Sequence, residues 1–351
     1  MQSIALAAGF QENGWQVRLV TLRPEGELFE KAQRMDITIQ PLQPFDFKLN
    51  WLHPGLFGVV EEFGPDAVLL MGRNANCLGR KICKKFSRLA VLGTFRTGRR
   101  IPRPYLETLK SCRHIFANSL WAARCLQELD IPSSAVSVIP NGIVHSIDDS
   151  NKDLLRQETR KQLETPEIAT VFLKTAAFVK GKNHGELLRI FSQLEGAWEL
   201  WLVGTGPTRK ACKKLAANLH FSGDVRFLGH FSELSGIYFG ADVAVLTSLE
   251  ESLPNFLLEA QVAGLPVVAY ECAGVSEAFL PGESGILVPQ GEQAGFLNSL
   301  ESLQENTGLR RAMGEKGRIW AKPQFCASDR LQNYMHKIEE IVRQPPPPAR
   351  P

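Results

Sequence analysis

The sequence predicts an α/β protein of two doubly wound domains with parallel sheets. Three observations carry this prediction. Short apolar runs alternate with helical periods along the chain, the pattern of parallel strands joined by crossover helices. With 351 residues, 44% of them hydrophobic, the chain can bury two cores of ordinary size. A polar, charged stretch over 143–167, centred on Asp148-Asp149-Ser150-Asn151, interrupts the alternation near the middle. The expected layout is a first domain over 1–145, a linker over 146–167 that includes a short helix, and a second domain over 168–322. A terminal helix follows over 323–343, then a Pro-rich tail over 344–351, expected to be disordered.

Residues 2–11 read as a helix with Ile4, Leu6, Ala7 and Phe10 inward, and Asn13-Gly14 turns it into a strand over 16–22. A doubly wound domain ordinarily opens with a strand and a Gly-rich turn. Here the helix comes first, so a strand from the middle of the sheet is expected to be absent, leaving its neighbours with unpaired edges. Next come a helix over 29–35, a strand over 37–41, a helix over 55–63 and a buried strand over 67–71. Two more apolar strands occupy 91–95 and 115–117, and Ser119 caps a helix that runs to 129. A strand over 136–139 ends the domain at Pro140-Asn141-Gly142, where Asn-Gly makes a good turn.

Between Asp66 and Glu107 no acidic residue occurs, while Arg73, Arg80, Lys81, Lys84, Lys85, Arg88, Arg96, Arg99, Arg100 and Arg103 all do. Helical spacing puts Lys81, Lys84, Lys85 and Arg88 on one face. A solvated helix face accounts for such a cluster; so does contact with anionic lipid headgroups or a phosphate-bearing acceptor, each cation contributing about 1 kcal/mol near such a surface. Nucleic acid is not the expected partner, because no aromatic residues interleave with the cations and no recognition motif accompanies them.

In the second domain a strand over 169–175 leads through Lys180, Lys182, Asn183 and His184 into a helix over 186–194. A strand over 199–203 runs into Gly204-Thr-Gly206-Pro207. This is no dinucleotide fingerprint, since the third Gly of Gly-x-Gly-x-x-Gly falls on Arg209, and a dehydrogenase is thereby disfavoured. A strand over 225–230, a helix over 232–239 and a strand over 241–246 follow, then the stretch on which the chain is organised. Pro254 suits the first turn of a helix, Gly264 the residue after its last turn, and Pro266 forbids continuation. The helix body is apolar nearly all round, except for Glu259, with Glu251 just ahead of its start. Two readings stay open for the carboxylates: a narrow solvent stripe through Asn255 and Glu259, or a helix start that opens on a ligand cleft, its N-H groups holding an anion and the carboxylates accepting from hydroxyls. The chain then repeats the pattern through 285–289 and helices over 293–305, 310–320 and 325–342.

Glu251-Ser-Leu-Pro-Asn-Phe-Leu-Leu-Glu259-Ala, followed by Ala263-Gly-Leu-Pro-Val-Val, resembles the signature of the retaining glycosyltransferase family 4, or group 1. That family has the GT-B fold, two Rossmann-like domains with parallel sheets facing across a cleft, with a terminal helix that crosses back to the first. The resemblance implies that Glu259 binds the nucleotide's ribose and Glu251 contacts the donor sugar. The loop and helix start between them, with Asn255, Phe256 and Leu257, would meet the sugar and diphosphate. Lys182-Asn183-His184 resembles the family's diphosphate-binding Lys, making Lys182 and Glu251 the expected catalytic pair. Ala177 stands where the family usually has Arg, and Lys180 is a candidate replacement. Gly204 and Gly206 would border the nucleotide, and the backbone of Phe227 and Leu228 would meet the base. Val138-Ile-Pro-Asn-Gly142 resembles a landmark at the entry to the linker. Met1-Gln2-Ser3 looks like the tail of the family's Gly-Gly loop, implying about fifteen to twenty further residues ahead of it. Where many relatives carry His, this chain has Arg96, which stays protonated and cannot act as a base. Arg96 and Arg99 are then candidates for a phosphate on acceptor or donor, or simply members of the basic cluster.

The activity expected from the resemblance is transfer of a hexose-type sugar, with retention, from a nucleotide-diphosphate donor to a hydroxyl of a glycan or lipid-linked acceptor. The context is assembly of cell-surface polysaccharide, lipopolysaccharide or glycolipid, and no metal is expected to assist. Adjacent Asp148 and Asp149 in a polar linker are expected to face water. Two alternatives remain: a catalytically inactive donor-binding protein, favoured by Ala177 and the absent first strand, and a GT-B sugar-nucleotide epimerase. Seven Cys without a Cys-x-x-Cys pair argue for a reducing compartment. No apolar run approaches the ~20 residues of a membrane span, and no charged-then-apolar leader follows Met1. A cytoplasmic protein is expected, peripheral on the inner face of the cell membrane if the 73–103 region binds lipid.

Overall fold

The computed structural model describes residues 2–345 apart from Glu25, Asn50, Trp51, Gly98, Arg99, 144–148 and Ser232. Arg99, Asp148, the first residue of the helix expected over 232–239 and nearly all of the tail thus lie outside the described residues. The chain forms two compact units, Met1–Val144 with Cys326–Pro351, and His145–Phe325.

The first unit runs α1 (Gln2–Glu12), β1 (Leu19–Thr21), α2 (Glu27–Arg34), β2 (Ile39–Pro41), α3 (Leu56–Phe63), β3 (Ala67–Leu69), α4 (Arg73–Lys85), β4 (Ala90–Phe95), α5 (Arg103–Ser111), β5 (His114–Ala117), α6 (Leu120–Glu128) and β6 (Val136–Val138). All pairings are parallel, but the strands form two sheets, β1-β2 and β3-β4-β5-β6. β4 is buried along its whole length, as a parallel strand covered on both faces should be. Ser119 caps α6, its hydroxyl accepting from the Ala122 amide at 3.0 Å. Among the described residues β1 and β3 each pair on one side only, and a cavity of about 990 Å³ is lined by Leu19 and Val20 of β1, Ala67 and Leu69 of β3, and Leu6 and Phe10 of α1.

The second unit runs α7 (Lys152–Gln162), β7 (Thr170–Thr175), α8 (His184–Phe191), β8 (Trp198–Val203), α9 (Arg209–Ala217), β9 (Asp224–Gly229), α10 (Ser235–Gly240), β10 (Val243–Leu246), α11 (Asn255–Val262), β11 (Val267–Tyr270), β12 (Gly285–Val288), α12 (Gln293–Glu305) and α13 (Thr307–Gln324). Its six strands make one continuous parallel sheet, β12-β11-β10-β7-β8-β9, over a core rich in fully buried aromatics, among them Trp198, Trp201, Phe172 and Phe191. α7, expected inside the linker, is a working part of this unit. Arg156 and Arg160 both pair with Asp242 and donate to backbone carbonyls at the end of α10. The last helix, α14 (Ala327–Arg343), belongs to the first unit, where Tyr334, Met335, Ile338 and Ile341 pack with Leu6, Phe10 and Phe116. Gly9 allows α1 to lie close to it, since a Cβ there would sit 2.5 Å from Leu331.

Candidate functional site

The 247–269 stretch folds much as its punctuation indicates. Pro254 caps α11 rather than entering it, and its carbonyl accepts from the Leu257 amide at 3.0 Å. Gly264, at φ +82°, ends the helix in the left-handed conformation that favours glycine. Residues 256–262 are all buried, so α11 is a core helix, and Glu259 within it is only 8% exposed. The Tyr238 hydroxyl donates to Glu259 Oε2 at 2.5 Å. Burial pushes the Glu259 carboxyl up to about 7, the Tyr238 bond opposing part of that rise, and it pushes the Tyr238 phenol well above its ordinary range. The solvent stripe proposed for Asn255 and Glu259 is therefore corrected: Asn255 is half-buried and Glu259 is enclosed with a hydrogen-bond donor.

Glu251, 9% exposed, is in salt-bridge contact with the half-buried ammonium of Lys182, so the two residues expected to act together are held together. Nearby, burial and then the charge of Glu251 raise the Cys272 thiol to about 11. Lys182 sits on a short 3-10 turn over Lys180–Lys182 that ends at Asn183, whose φ is +52°. The turn is tied to the strand beneath and the loop beside it. Lys174 Nζ donates to the Lys182 carbonyl at 2.6 Å and to Thr247 Oγ1 at 2.8 Å, Thr247 Oγ1 donates to the Asn183 carbonyl at 3.1 Å, and the Leu249 amide donates to the Gly181 carbonyl at 2.9 Å. α8 begins at His184, two residues earlier than expected, and buries that imidazole in a stack on Phe178 with ring centroids 4.0 Å apart. Burial, then Lys174 and Lys182, drive His184 down to about 2, so it is neutral. Neither of its ring nitrogens nor the buried Ser248 hydroxyl has a hydrogen-bond partner among the described residues.

Gly204 and Gly206 lie against the same loop. A Cβ on Gly204 would stand 2.2 Å from the Ala176 carbonyl oxygen, and one on Gly206 would stand 2.5 Å from that of Phe178. Both residues have φ in the positive range that disfavours a side chain, +135° and +149°. They let the end of β8 pass in contact with the 176–178 segment, where the Phe178 amide donates to the Thr205 carbonyl at 2.8 Å. Phe227 packs on Phe178 at 5.9 Å between ring centroids, and its carbonyl accepts from Arg209 Nη2 at 2.9 Å. Leu228 beside it is half-buried. Ala177 and Lys180 are both exposed on this loop.

In the first unit Arg96 Nη2 donates to Asn141 Oδ1 at 2.6 Å, which fixes it to the Pro140-Asn141-Gly142 turn rather than to the basic helix face. That face is also less bare than the local sequence implied. Arg80 pairs with Glu107 of α5, Lys85 pairs with Glu61 of α3, and Arg88 lies beyond the end of α4. Sequence reasoning missed Lys174, Thr247 and Tyr238. A Lys within the run Val171-Phe-Leu-Lys-Thr175 was a legible signal; Tyr238 offered none, because its partner lies 21 residues away.

The arrangement thus offers a cation paired with a carboxylate at the rim, an enclosed acid one helix turn beyond Asn255, and a glycine turn beside them, groups that suit an anion and a set of hydroxyls. Residues 156–320 match the family Glycosyl transferases group 1, and residues 3–146 match Glycosyltransferase Family 4. The chain is 34% identical over 179 residues to the lipopolysaccharide core biosynthesis glycosyltransferase LpsE of Rhizobium meliloti, covering 51% of this chain and 52% of that protein. It is 27% identical over 188 residues to N-acetyl-alpha-D-glucosaminyl L-malate synthase of Bacillus anthracis, covering 53% and 49%. The chain therefore spans about half the length of these curated relatives. Among solved structures, a glycosyltransferase from Rickettsia africae superimposes with a TM-score of 0.82 at 18% identity, covering 98% of this chain and 94% of that one. Anabaena Alr3699/HepE in complex with UDP and glucose superimposes with a TM-score of 0.83 at 18% identity, covering 96% and 94%. The chain belongs to the group 1, family 4 glycosyltransferases and has their GT-B fold.

Proposed function

We propose that the chain binds a nucleotide-diphosphate sugar on the second unit and transfers the sugar, a hexose, with retention to a hydroxyl of a glycan or lipid-linked acceptor. The product would enter cell-surface polysaccharide, lipopolysaccharide or glycolipid. The observation that carries this reading is the Lys182–Glu251 contact beside the start of α11. In support, LpsE is named for lipopolysaccharide core biosynthesis, and HepE has been seen with UDP-glucose. Glu259 would accept from the ribose hydroxyls, with Tyr238 fixing its carboxyl. Departure of the leaving group develops negative charge on the diphosphate, which Lys182 and the amides at Asn255 and Phe256 would meet, with Leu257 behind them in the first turn of α11, Lys180 adding charge at the rim and no metal required. The Gly204–Gly206 turn and the backbone at Phe227 and Leu228 would border the nucleoside. Arg96 and Arg99 would meet a phosphate on the acceptor. The exposed cations of α4 would bring the protein to an anionic membrane surface from the cytoplasmic side, by binding that weakens as salt rises.

The test is product analysis with UDP-, GDP- and ADP-hexoses, with and without extracted lipid-linked glycan, and anomeric assignment of the product by NMR. Glu251→Ala is expected to lower turnover by about 10²- to 10³-fold, the usual cost of removing one preorganised polar group from such a site. Near-normal turnover in that variant removes Glu251 from the mechanism. Isomerised donor in the absence of acceptor would establish the epimerase reading instead, and binding without any product would establish an inactive donor-binding protein.

A further inference from the structure

Lys174 lies on β7, between β10 and β8 in the middle of the second unit's sheet, and none of its surface reaches solvent. An ammonium group in such a place is costly unless it is well bonded, and an apolar side chain of the same length would fill the position without that cost. Its hydrogen-bond partners are neutral: the Lys182 carbonyl at 2.6 Å and the Thr247 hydroxyl at 2.8 Å. Thr247 in turn donates to the next carbonyl of the same turn, that of Asn183. One buried cation and one buried hydroxyl therefore hold two successive carbonyls of the turn whose Lys182 ammonium contacts Glu251. The titratable groups that act on Lys174 are Lys182 on the turn, Glu251 on the loop after β10, Cys212 on α9, whose thiol burial pushes up, and Glu186 on α8, while His184 on α8 is neutral.

We propose that Lys174 is a positioning residue of the site: its buried ammonium fastens the 180–183 turn to the end of β10, sets Lys182 against Glu251, and adds positive charge behind the face that meets the donor's diphosphate. The fastening stands on this geometry alone, whereas the effect on the donor rests on the function proposed above. Burial, and then Lys182, pull Lys174 down to about 7. Its charge is therefore present below that pH and is lost as pH rises through it, and an anion bound in front of it draws the proton back.

Lys174→Met keeps the length of the side chain and removes its donors. In the ligand-free variant, amide hydrogen exchange at 180–184 is expected to speed up by about tenfold or more, two hydrogen bonds being lost, while the amides of α12 stay unchanged. The ratio of wild-type to Lys174→Met affinity for UDP-, GDP- or ADP-glucose is expected to fall several-fold as pH rises from about 6.5 to about 8.5. Calorimetry in two buffers should show that the wild type takes up more protons on binding, or releases fewer, than the variant does. Unchanged exchange in the turn overturns the fastening, and a constant affinity ratio overturns the charge effect. If the wild type binds none of the three donors while exchange still accelerates in the variant, the donor reading fails and the fastening stands. Should Lys174→Met not fold, Thr247→Val removes the shared hydroxyl without changing shape, and exchange in the turn must then accelerate in that variant, or the fastening is overturned.

Discussion

The two units are built from the same kind of parallel sheet and differ in how completely it is closed. In the second unit six strands run without a break, and the two at the centre, β10 and β7, carry the candidate site at their ends. In the first unit the strands divide into sheets of two and four, three-residue strands border the division, and a cavity of about 990 Å³ lies beside it. The difference shows where charge can be buried. Lys174 and Glu259 are enclosed in the continuous sheet and its helices, where neighbours on every side fix their partners. The cations that distinguish the first unit, Arg80, Lys81, Lys84 and Lys85, stay exposed, and Arg80 and Lys85 meet their counter-charges at the surface.

The largest expected effect that tests this contrast comes from adding one carbon in each unit. Gly204→Ala drives a Cβ to 2.2 Å from the Ala176 carbonyl oxygen at a φ of +135°, and neither backbone segment has room to yield. Overpacking and backbone strain together predict a loss of about 3 kcal/mol or more in urea unfolding. Gly58→Ala in α3 of the first unit meets nothing within 4 Å, and alanine in a helix should stabilise by about 0.5–1 kcal/mol. If Gly204→Ala proved harmless, the second unit would be less rigid at its site than its geometry indicates.

What the sequence made legible follows the same division between local and distant causes. The limits of α11 could be read because Pro254 and Gly264 act within their own few residues, and Ser119 could be read as a cap because its bond reaches only to Ala122. The family resemblance was legible for a similar reason, its residues being contiguous from Glu251 to Val268. The solvent-stripe alternative for Glu259 could not be rejected, because the residue that encloses it, Tyr238, comes from α10. Nor could the pairing of Arg80 and Lys85 be foreseen, since Glu61 and Glu107 lie outside the acid-free stretch and only folding brings α3 and α5 beside α4. α7 read as linker because its composition is polar; what binds it to the second unit is a pair of arginines on Asp242, more than 80 residues away.

A smaller effect is expected from enlarging one alanine on each side of the comparison. Ala244 on β10 is fully buried between β11 and β7, so Ala244→Leu should cost about 1–3 kcal/mol as its neighbours are forced from their rotamers. Ala7 on α1 borders the cavity of the first unit, so Ala7→Leu has space to fill and should be neutral or stabilising by up to about 1 kcal/mol. Equal losses at the two positions, measured by the same urea titration, would mean that the first unit closes over its cavity in solution.

The smallest effect concerns what each unit responds to. The exposed cations of α4 should answer to salt, whereas Glu259, enclosed beside Tyr238, should answer to pH. Burial raises the Glu259 carboxyl to about 7, so the ligand-free protein holds this proton through the acid side of neutrality. Hydroxyls donating to the group favour its ionised form, which lowers its pKa in the complex and releases the proton on binding. Donor affinity relative to Glu259→Gln should therefore rise with pH and level off above about 7, by a few-fold between about pH 6 and about pH 8. The sign is opposite to that expected for Lys174, so the two variants separate contributions that overlap in the wild type. A Glu259→Gln protein with the wild-type pH profile would show that the ligand does not engage this carboxylate. The ribose contact would then have to be sought elsewhere on the closed sheet.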